Sequence, residues 1–469
     1  MPGLRRVRRR IGHDERAPGE RADPVVTASA SRAALERYRA LVSPEVGIIR
    51  SLQPASRGVD EPNPPVIYQA MLSHFDFRNA RPLDRAAVGK GATEDDAALG
   101  AIGEAVERYC ASHPDAAAFQ RGTRAGWAAM GRSTLSPAEC VLYADSQYER
   151  PGFPYRRWDE RLEIAWLPAR ELPGGAEVLV PAGCVYLNYS GDRAEELLCP
   201  PTSNGLAAGP DLESAILHGL LELVERDGFL ITWMNRLPVP EVDFARQRGI
   251  AASIAARYRR FGVETRVFNL TTDLPGYVMM ALALDRTGRG PAATIGLGCH
   301  LDPAVAVLKA LFELCQVHAG EARRYRQNPP QARLRSYADV RTLEDHSAFF
   351  TMPERLGELA WLLEAGRRQR LEDLPGQMRG SVSDQLATVV SGLARAGSRA
   401  LYVELTTPDV RDFGVRVVRA IATGLQPMHF GHGEERLGGR RLYEVPRLLA
   451  YAQAPTTERD LNPCPHPLA

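Results

Sequence analysis

Glutamates recur in this sequence at spacings that put them on one side of a helix. Glu104, Glu107 and Arg108 fall within GKGATEDDAALGAIGEAVERYC, and Glu222, Glu225 and Arg226 within SNGLAAGPDLESAILHGLLELVERDG. A rotation of about 100° per residue gathers each trio on one helix face. Opposite lie Ala98, Ile102, Ala105, Val106 and Tyr109 in the first segment, and Ile216, Leu220, Leu223 and Val224 in the second. A third segment, DPAVAVLKALFELCQVH, aligns Lys309, Glu313 and Gln316 against Val307, Leu311 and Leu314. One such pattern is what any amphipathic helix shows to water. Two, each after a Gly-rich entry and one inside the apolar run AILHGLLELV, predict acidic faces that meet in the interior. Carboxylates about 4 Å apart repel by roughly 4 kcal/mol per pair at an effective dielectric near 20, so the cluster requires cations. Hard oxygen ligands suit Mg²⁺, which bridges carboxylates to substrate phosphates. The implied ligand is a nucleotide.

The usual nucleotide signatures are missing: there is no GxxxxGK[ST], and no GxGxxG between a strand and a helix. The sequence holds two lysines among 58 basic residues, Lys90 in GKG and Lys309 in the third segment. Lys90 could neutralise a phosphate that the metals leave uncovered. His218 shares the polar side of the second helix, as a proton-transfer group or as a buried structural histidine.

The elements that must position these residues alternate along the chain. Long Ala/Leu-rich helices are interleaved with the β-branched runs GAEVLVPAGCVYLNY, VETRVFNL, GYVMMALAL, AATIGLG and RALYVELTT, which predicts an α/β or α+β enzyme core. Residues 1–28, with RRVRRR and few large apolar groups, predict a mobile arm. Residues 29–66 predict an N-terminal segment with a helix and a turn at Ser43-Pro44, ending in a Pro-rich connector. Residues 321–380, rich in Arg, Gln and Glu, predict an exposed helical excursion. The tail, 462–469, reads NPCPHPLA and is too proline-dense for a helix or central strand.

Composition excludes several functions. A net charge of +1 gives no overall electrostatic footprint for nucleic acid or an anionic membrane. No apolar run is long enough to span a bilayer. Seven cysteines without a CxxC pair argue against zinc and against a disulfide framework, so the expected location is a reducing cytoplasm.

The three segments resemble the nucleotide-binding blocks of the YcaO superfamily, most specifically in Ser203-Asn204-Gly205-Leu206-Ala207-Ala208-Gly209 followed by ELVERD. The resemblance runs from about Ile67 to the C-terminus. It implies the YcaO fold over residues 67–461, with mixed sheets packed with helices and an ATP site built by helices without a P-loop. ATP and Mg²⁺ are the implied cofactors. Carried over by position, Glu104, Glu107, Glu222 and Glu225 are implied metal ligands. Lys90, Arg108, Ser203, Asn204, Arg226, Glu313 and Gln316 are implied to surround the nucleotide. Two positions depart from the family pattern: Gly100 stands where Ser is usual, and Thr423 where Pro is frequent.

Pro463, Pro465 and Pro467 form a PxPxP ending, the mark of members that form azoline rings, whose tail reaches into the catalytic region. The resemblance therefore implies a cyclodehydratase. A Cys, Ser or Thr side chain of a ribosomally made precursor peptide attacks its own preceding amide, and ATP phosphorylates the amide oxygen so that it can leave. Nothing before residue 67 reads as a peptide-docking module, which implies a separate leader-peptide-binding partner. A flavin-dependent azoline dehydrogenase acting afterwards, and a homodimer, are compatible with the resemblance. The alternatives are thioamide or macroamidine formation, and a non-catalytic scaffold subunit.

Overall fold

A computed structural model describes residues 28–73, 86–187, 189, 196–244, 249–327, 334–376 and 380–468. All but the last residue of the expected arm, 1–28, lies outside the described residues.

Three sheets make the framework. Strands β1 (Ile49–Pro54), β2 (Val66–Leu72) and β3 (Ala86–Gly91) form the first, antiparallel in the order β1-β2-β3. The second is β4-β5-β13-β14-β7, from Gln120–Gly122, Ile164–Leu172, Ala400–Glu404, Arg416–Ala422 and Leu206–Gly209, with β6 (Glu177–Pro181) paired to β5. The third runs β11-β10-β9-β8-β12, from Ala293–His300, Tyr277–Asp285, Val263–Asn269, Glu241–Asp243 and Arg368–Arg370. Among the described pairs only β8 and β12 run parallel, so α+β is the better half of the expectation. The runs VETRVFNL, GYVMMALAL, AATIGLG and RALYVELTT are strands as expected. Strand β10 is buried along its whole length, which is why it reads as an unbroken apolar run.

The three acidic segments are helices. Glu94–Ser112 lies on the first sheet and β7; Leu212–Met234 lies between the second and third sheets, against β7, β14, β10 and β11; Pro303–Gln327 lies on β11 and β10. Each starts at a short polar residue that satisfies free backbone donors. Thr93 Oγ1 accepts from Asp96 N, Asp211 Oδ1 from Ser214 N at 2.8 Å, and Asp302 Oδ1 from Ala304 N at 2.8 Å. Close approach to the strands depends on glycine. A Cβ on Gly89 would stand 2.0 Å from the carbonyl oxygen of Ala97, and one on Gly298 would stand 2.4 Å from that of Ala306.

Residues 29–66 pack with the first acidic helix: β1 completes the first sheet, and Leu35, Leu41 and Ile49 share a core with Ala98 and Ile102. Helix Ala28–Tyr38 is tied to the first acidic helix by Ser31 Oγ donating to Asp96 Oδ1 at 2.8 Å. One expectation fails: residues 321–380 are not an exposed excursion throughout. In helix Leu343–Phe350, His346, Phe349 and Phe350 are buried against the main core. The charges that suggested exposure sit around these apolar anchors.

Candidate nucleotide and metal site

The three helices repeat one plan. Counting from the capping residues Thr93, Asp211 and Asp302, the eleventh residue onward is Glu104, Glu222 and Glu313, and the fourteenth is Glu107, Glu225 and Gln316. In each unit the eleventh-position carboxylate accepts an N–H from the strand or turn before the helix. Val88 N donates to Glu104 Oε2 at 3.0 Å, Gly205 N to Glu222 Oε2 at 3.2 Å, and Leu297 N to Glu313 Oε1 at 3.2 Å. These bonds hold the carboxylates across the start of each unit, and the structure brings the sets together. Burial pushes the Glu107 carboxyl well up, and Glu222 and then Glu104 push it further. Burial raises Glu222 to about 7, with Arg226 pulling back and Glu225 adding to the rise. Glu225 is also raised by burial, opposed by Arg226 and supported by Glu313. Water nevertheless reaches part of Glu104, Glu107, Glu222 and Glu313.

The cations present are committed elsewhere or too few. Lys90 Nζ meets Glu313 Oε2 at 3.0 Å; burial would raise that carboxyl, but Lys90 outweighs it and the net shift is downward. Arg108 Nη2 donates to Glu104 Oε1 at 2.5 Å and its Nη1 to the carbonyl of Ala86 at 2.8 Å. Arg226 stands 3.8 Å from Glu222 and 3.6 Å from Glu225. Burial works against its charge, but Glu225, Glu313 and Glu222 together prevail. The two units with a Glu at the fourteenth position thus carry carboxylates that resist ionising. The donor set is all oxygen, which fits a hard divalent cation.

Arg419 on β14 also faces this cluster, and sequence reasoning missed it. It donates to the carbonyls of Val185, Asn204 and Thr202 at 2.8, 2.5 and 2.7 Å. Burial lowers it to about 10 against the pull of Glu222 and Glu107. Nothing in RVVRAIA marks this arginine as different from the other basic residues. Asn204 therefore has its backbone fixed while its side-chain Nδ2 is buried with no hydrogen-bond partner, and Gln316 Oε1 is in the same condition. Two buried polar atoms without partners beside the carboxylates are what a polar ligand would satisfy. Ser203 is exposed at the same turn.

A family profile described as YcaO cyclodehydratase, ATP- and Mg²⁺-binding, matches residues 88–426. The chain belongs to the YcaO family. ATP and Mg²⁺, which the profile describes, are its cofactors. An uncharacterized protein of Methanothermobacter thermautotrophicus is 32% identical over 358 residues, 75% of this chain and 84% of the relative. A heterocyclase solved in complex with substrate and cofactor superposes with a TM-score of 0.78 at 27% identity, over 93% of this chain and 57% of that one. The chain thus spans little more than half of that heterocyclase. The YcaO of Methanopyrus kandleri, solved with AMPPCP and Mg²⁺, shares the fold at a TM-score of 0.62 and 24% identity, over 84% and 91% of the two chains.

The departure at Gly100 has a steric side in this YcaO chain. A Cβ there would lie 3.3 Å from the Cα of Gly89, so glycine lets the first helix settle against the strand that carries Lys90. His218 is not a buried structural histidine: solvent reaches its ring. Desolvation by the surrounding protein, with Lys309 nearby, nevertheless lowers its pKa.

The tail is held against the other half of the second acidic helix. Trp233 Nε1 donates to the carbonyl of Cys464 at 2.9 Å, and Asn462 N to that of Met234 at 2.7 Å. Pro465, His466 and Pro467 are buried and Pro463 is exposed. The His466 ring packs edge-on to Phe229, one turn beyond Glu225 and Arg226. The prolines bring no titratable atom to the site; Pro465 and Pro467 are buried in this packing and Pro463 is not. His346, His429 and His466 come within 4.8 Å of one another here. The rings of His346 and His466 stack at 3.8 Å and 12°, so their in-plane nitrogens run side by side instead of converging. Both nitrogens of His346 also face carbonyl oxygens, of His466 at 2.8 Å and Phe430 at 2.9 Å. That geometry anchors the tail and does not suit a tetrahedral metal centre.

Proposed function

We propose that this chain is an ATP-dependent peptide cyclodehydratase that converts Cys, or Ser and Thr, residues of a ribosomally made precursor to thiazolines or oxazolines. The observation that carries the reading is the meeting of Glu104, Glu107, Glu222 and Glu225, in which burial and neighbouring carboxylates hold Glu107, Glu222 and Glu225 above the ordinary carboxylate range. Those four side chains hold Mg²⁺; Lys90, Arg108, Ser203, Asn204, Arg226, Glu313 and Gln316 surround the nucleotide. ATP, when bound, supplies the phosphoryl group that turns the amide oxygen of the substrate into a leaving group. The chain contributes charge neutralisation and orientation, the main requirements of phosphoryl transfer. The PxPxP tail, buried from Cys464 onward, supports ring formation over thioamide or macroamidine formation, because it fixes the far half of the helix that bears Glu222 and Glu225. Likeness to a heterocyclase solved with substrate and cofactor supports heterocycle formation, and the reading includes a separate leader-peptide-binding partner.

The test is mass spectrometry of the peptide product, made with a Cys-, Ser- or Thr-rich precursor peptide and a leader-binding protein. One water should be lost per modified residue, located by fragmentation at Cys, Ser or Thr. Glu225→Gln should remove both this product and phosphate release. Equal phosphate release by the variant would leave the chain as a scaffold.

A further inference from the structure

Three of the seven cysteines share a cavity. Cys140, Cys184 and Cys199 line a space of about 90 Å³ together with Thr202, Asn204 and Arg419. That is room for a few waters, and so for hydrogen peroxide, which is little larger than one. Cys184 Sγ lies 4.0 Å from Cys199 Sγ, about twice the length of an S–S bond. Cys140 Sγ donates instead to the carbonyl of Ser136 at 3.4 Å. Cys184 is partly exposed and Cys199 is buried, so an oxidant meets the first thiol with the second behind it.

The two thiols sit on segments that the fold already holds side by side. Cys184 ends the short helix Ala182–Cys184 after β6, and Cys199 opens the run Cys199-Pro200-Pro201-Thr202 that leads to Ser203 and Asn204. Arg419 spans both: it donates to the carbonyl of Val185, next after Cys184, and to those of Thr202 and Asn204. The gap between the sulfurs can therefore close by side-chain rotation and a small backbone shift. Proline restricts φ at both positions after Cys199, so a shift of Cys199 is not absorbed there and passes to Thr202 and Asn204. The Cys140 thiol raises the pKa of Cys184, Cys199 pulls it back, and burial adds to the rise. Cys184 is thus a protonated thiol at neutral pH, which reacts slowly and leaves the pair reduced until oxidant is in excess.

We infer that Cys184 and Cys199 form an oxidation site, a dithiol that hydrogen peroxide converts to a disulfide, and that the cross-link weakens nucleotide binding through the Thr202–Asn204 turn. In the first step the Cys184 sulfur takes one oxygen from the peroxide and becomes a sulfenic acid, and water leaves. In the second the Cys199 sulfur attacks that sulfur, the S–S bond forms, and the sulfenic hydroxyl leaves as water with the Cys199 proton. The two thiols lose two electrons and two protons, and the peroxide is reduced to two waters. A thiol reductant reverses the change. The effect on the nucleotide rests on the proposed Mg²⁺–ATP reading, whereas the cross-link itself does not.

The experiment treats the full chain with hydrogen peroxide, blocks the remaining thiols, and maps tryptic peptides by mass spectrometry without reductant. Trypsin cuts at Arg150, Arg170 and Arg193, so Cys140, Cys184 and Cys199 fall in separate peptides. The Cys184 and Cys199 peptides should appear joined, lighter than their sum by two hydrogens, and part on reduction. Isothermal titration calorimetry should show the oxidised chain binding Mg²⁺ and AMPPCP about fivefold more weakly, as for one lost hydrogen bond, with recovery on reduction. Cys184→Ser should abolish the link and make affinity indifferent to peroxide, and its untreated affinity, equal to that of the wild type, shows that it is folded. Cys140→Ser should change neither result. No link, or Cys184 joined to Cys140, would overturn the site. A link with AMPPCP affinity unchanged would overturn its control of the turn. If the reduced wild type binds no AMPPCP with Mg²⁺, the reading of the recess falls and that control with it, while the peptide map still decides the oxidation site.

Discussion

The second and third acidic helices share a plan and differ in how their charge is settled. Both start at an aspartate, both present a glutamate eleven residues on, and both fix that glutamate with a backbone N–H from the preceding strand or turn. In the third unit the charge is already neutralised: Lys90 meets Glu313 at 3.0 Å, the carboxyl is held below its ordinary range, and the fourteenth position is Gln316. In the second unit the fourteenth position is Glu225, and Arg226 is shared among three carboxylates, so Glu222 sits at about 7. A folded protein keeps buried like charges only where something else supplies the missing cation. On the proposed function, the difference separates a metal-holding side, made by the first two units, from a nucleotide-contacting side made by the third.

The largest test of that division is Glu222→Gln. Gln keeps an oxygen for the Gly205 N–H but removes the charge, so ATP turnover should fall by about 100- to 1,000-fold, as when a positioned electrostatic group is lost. The metal-free protein should at the same time gain stability, with Tm rising by about one to three degrees at pH 8, because a crowded carboxylate is gone. Calorimetry with and without Mg²⁺ checks both. A variant that loses turnover and also loses metal-free stability would mean that Glu222 is structural.

pH gives a second test without mutation. Glu222 ionises near 7 in the folded chain and near the ordinary carboxylate value when unfolded, so between these the folded state binds the more protons. Stability of the nucleotide-free protein should therefore fall as pH rises from about 4.5 to about 7, Glu107 and Glu225 adding to the same trend, and Mg²⁺ with AMPPCP should shrink the fall. Stability that rises across that window, with or without ligand, would contradict the division.

Much of this site was legible in the sequence, and the reason is helical periodicity. Glu104, Glu107, Glu222, Glu225 and Glu313 needed only the angle per residue to be placed on faces. The common count from the caps was also present in the sequence, in Thr93, Asp211 and Asp302. Arg419 was not legible, because its role depends on three carbonyls brought from Val185, Thr202 and Asn204. Composition misled at residues 321–380, where buried Phe349 and Phe350 were outnumbered by arginines.

On the third side of the comparison, Gln316→Glu adds the carboxylate that the other units have. Facing a nucleotide instead of a metal, the new charge should raise the KM for ATP by about tenfold and leave kcat within about twofold, the pattern of lost uniform binding. A fall in kcat with unchanged KM would place Gln316 at the reacting centre instead.

The smallest expected effect probes whether the tail acts through the second helix alone. Trp233→Phe removes the Nε1 donor to the Cys464 carbonyl while keeping an aromatic ring against Phe350 and Trp361. One buried neutral hydrogen bond is worth about 1 kcal/mol, with the carbonyl left unpaired on the tail side. The tail remains anchored by Asn462 and by the stacked His346 and His466, so loosening should be partial. Azoline formation should slow a few-fold, while AMPPCP affinity stays unchanged, because the carboxylates belong to the preceding turns and their strand N–H bonds are untouched. Weakened nucleotide binding in this variant would show that the helix transmits the tail's packing to Glu222 and Glu225, joining two regions that the hydrogen-bond pattern keeps apart.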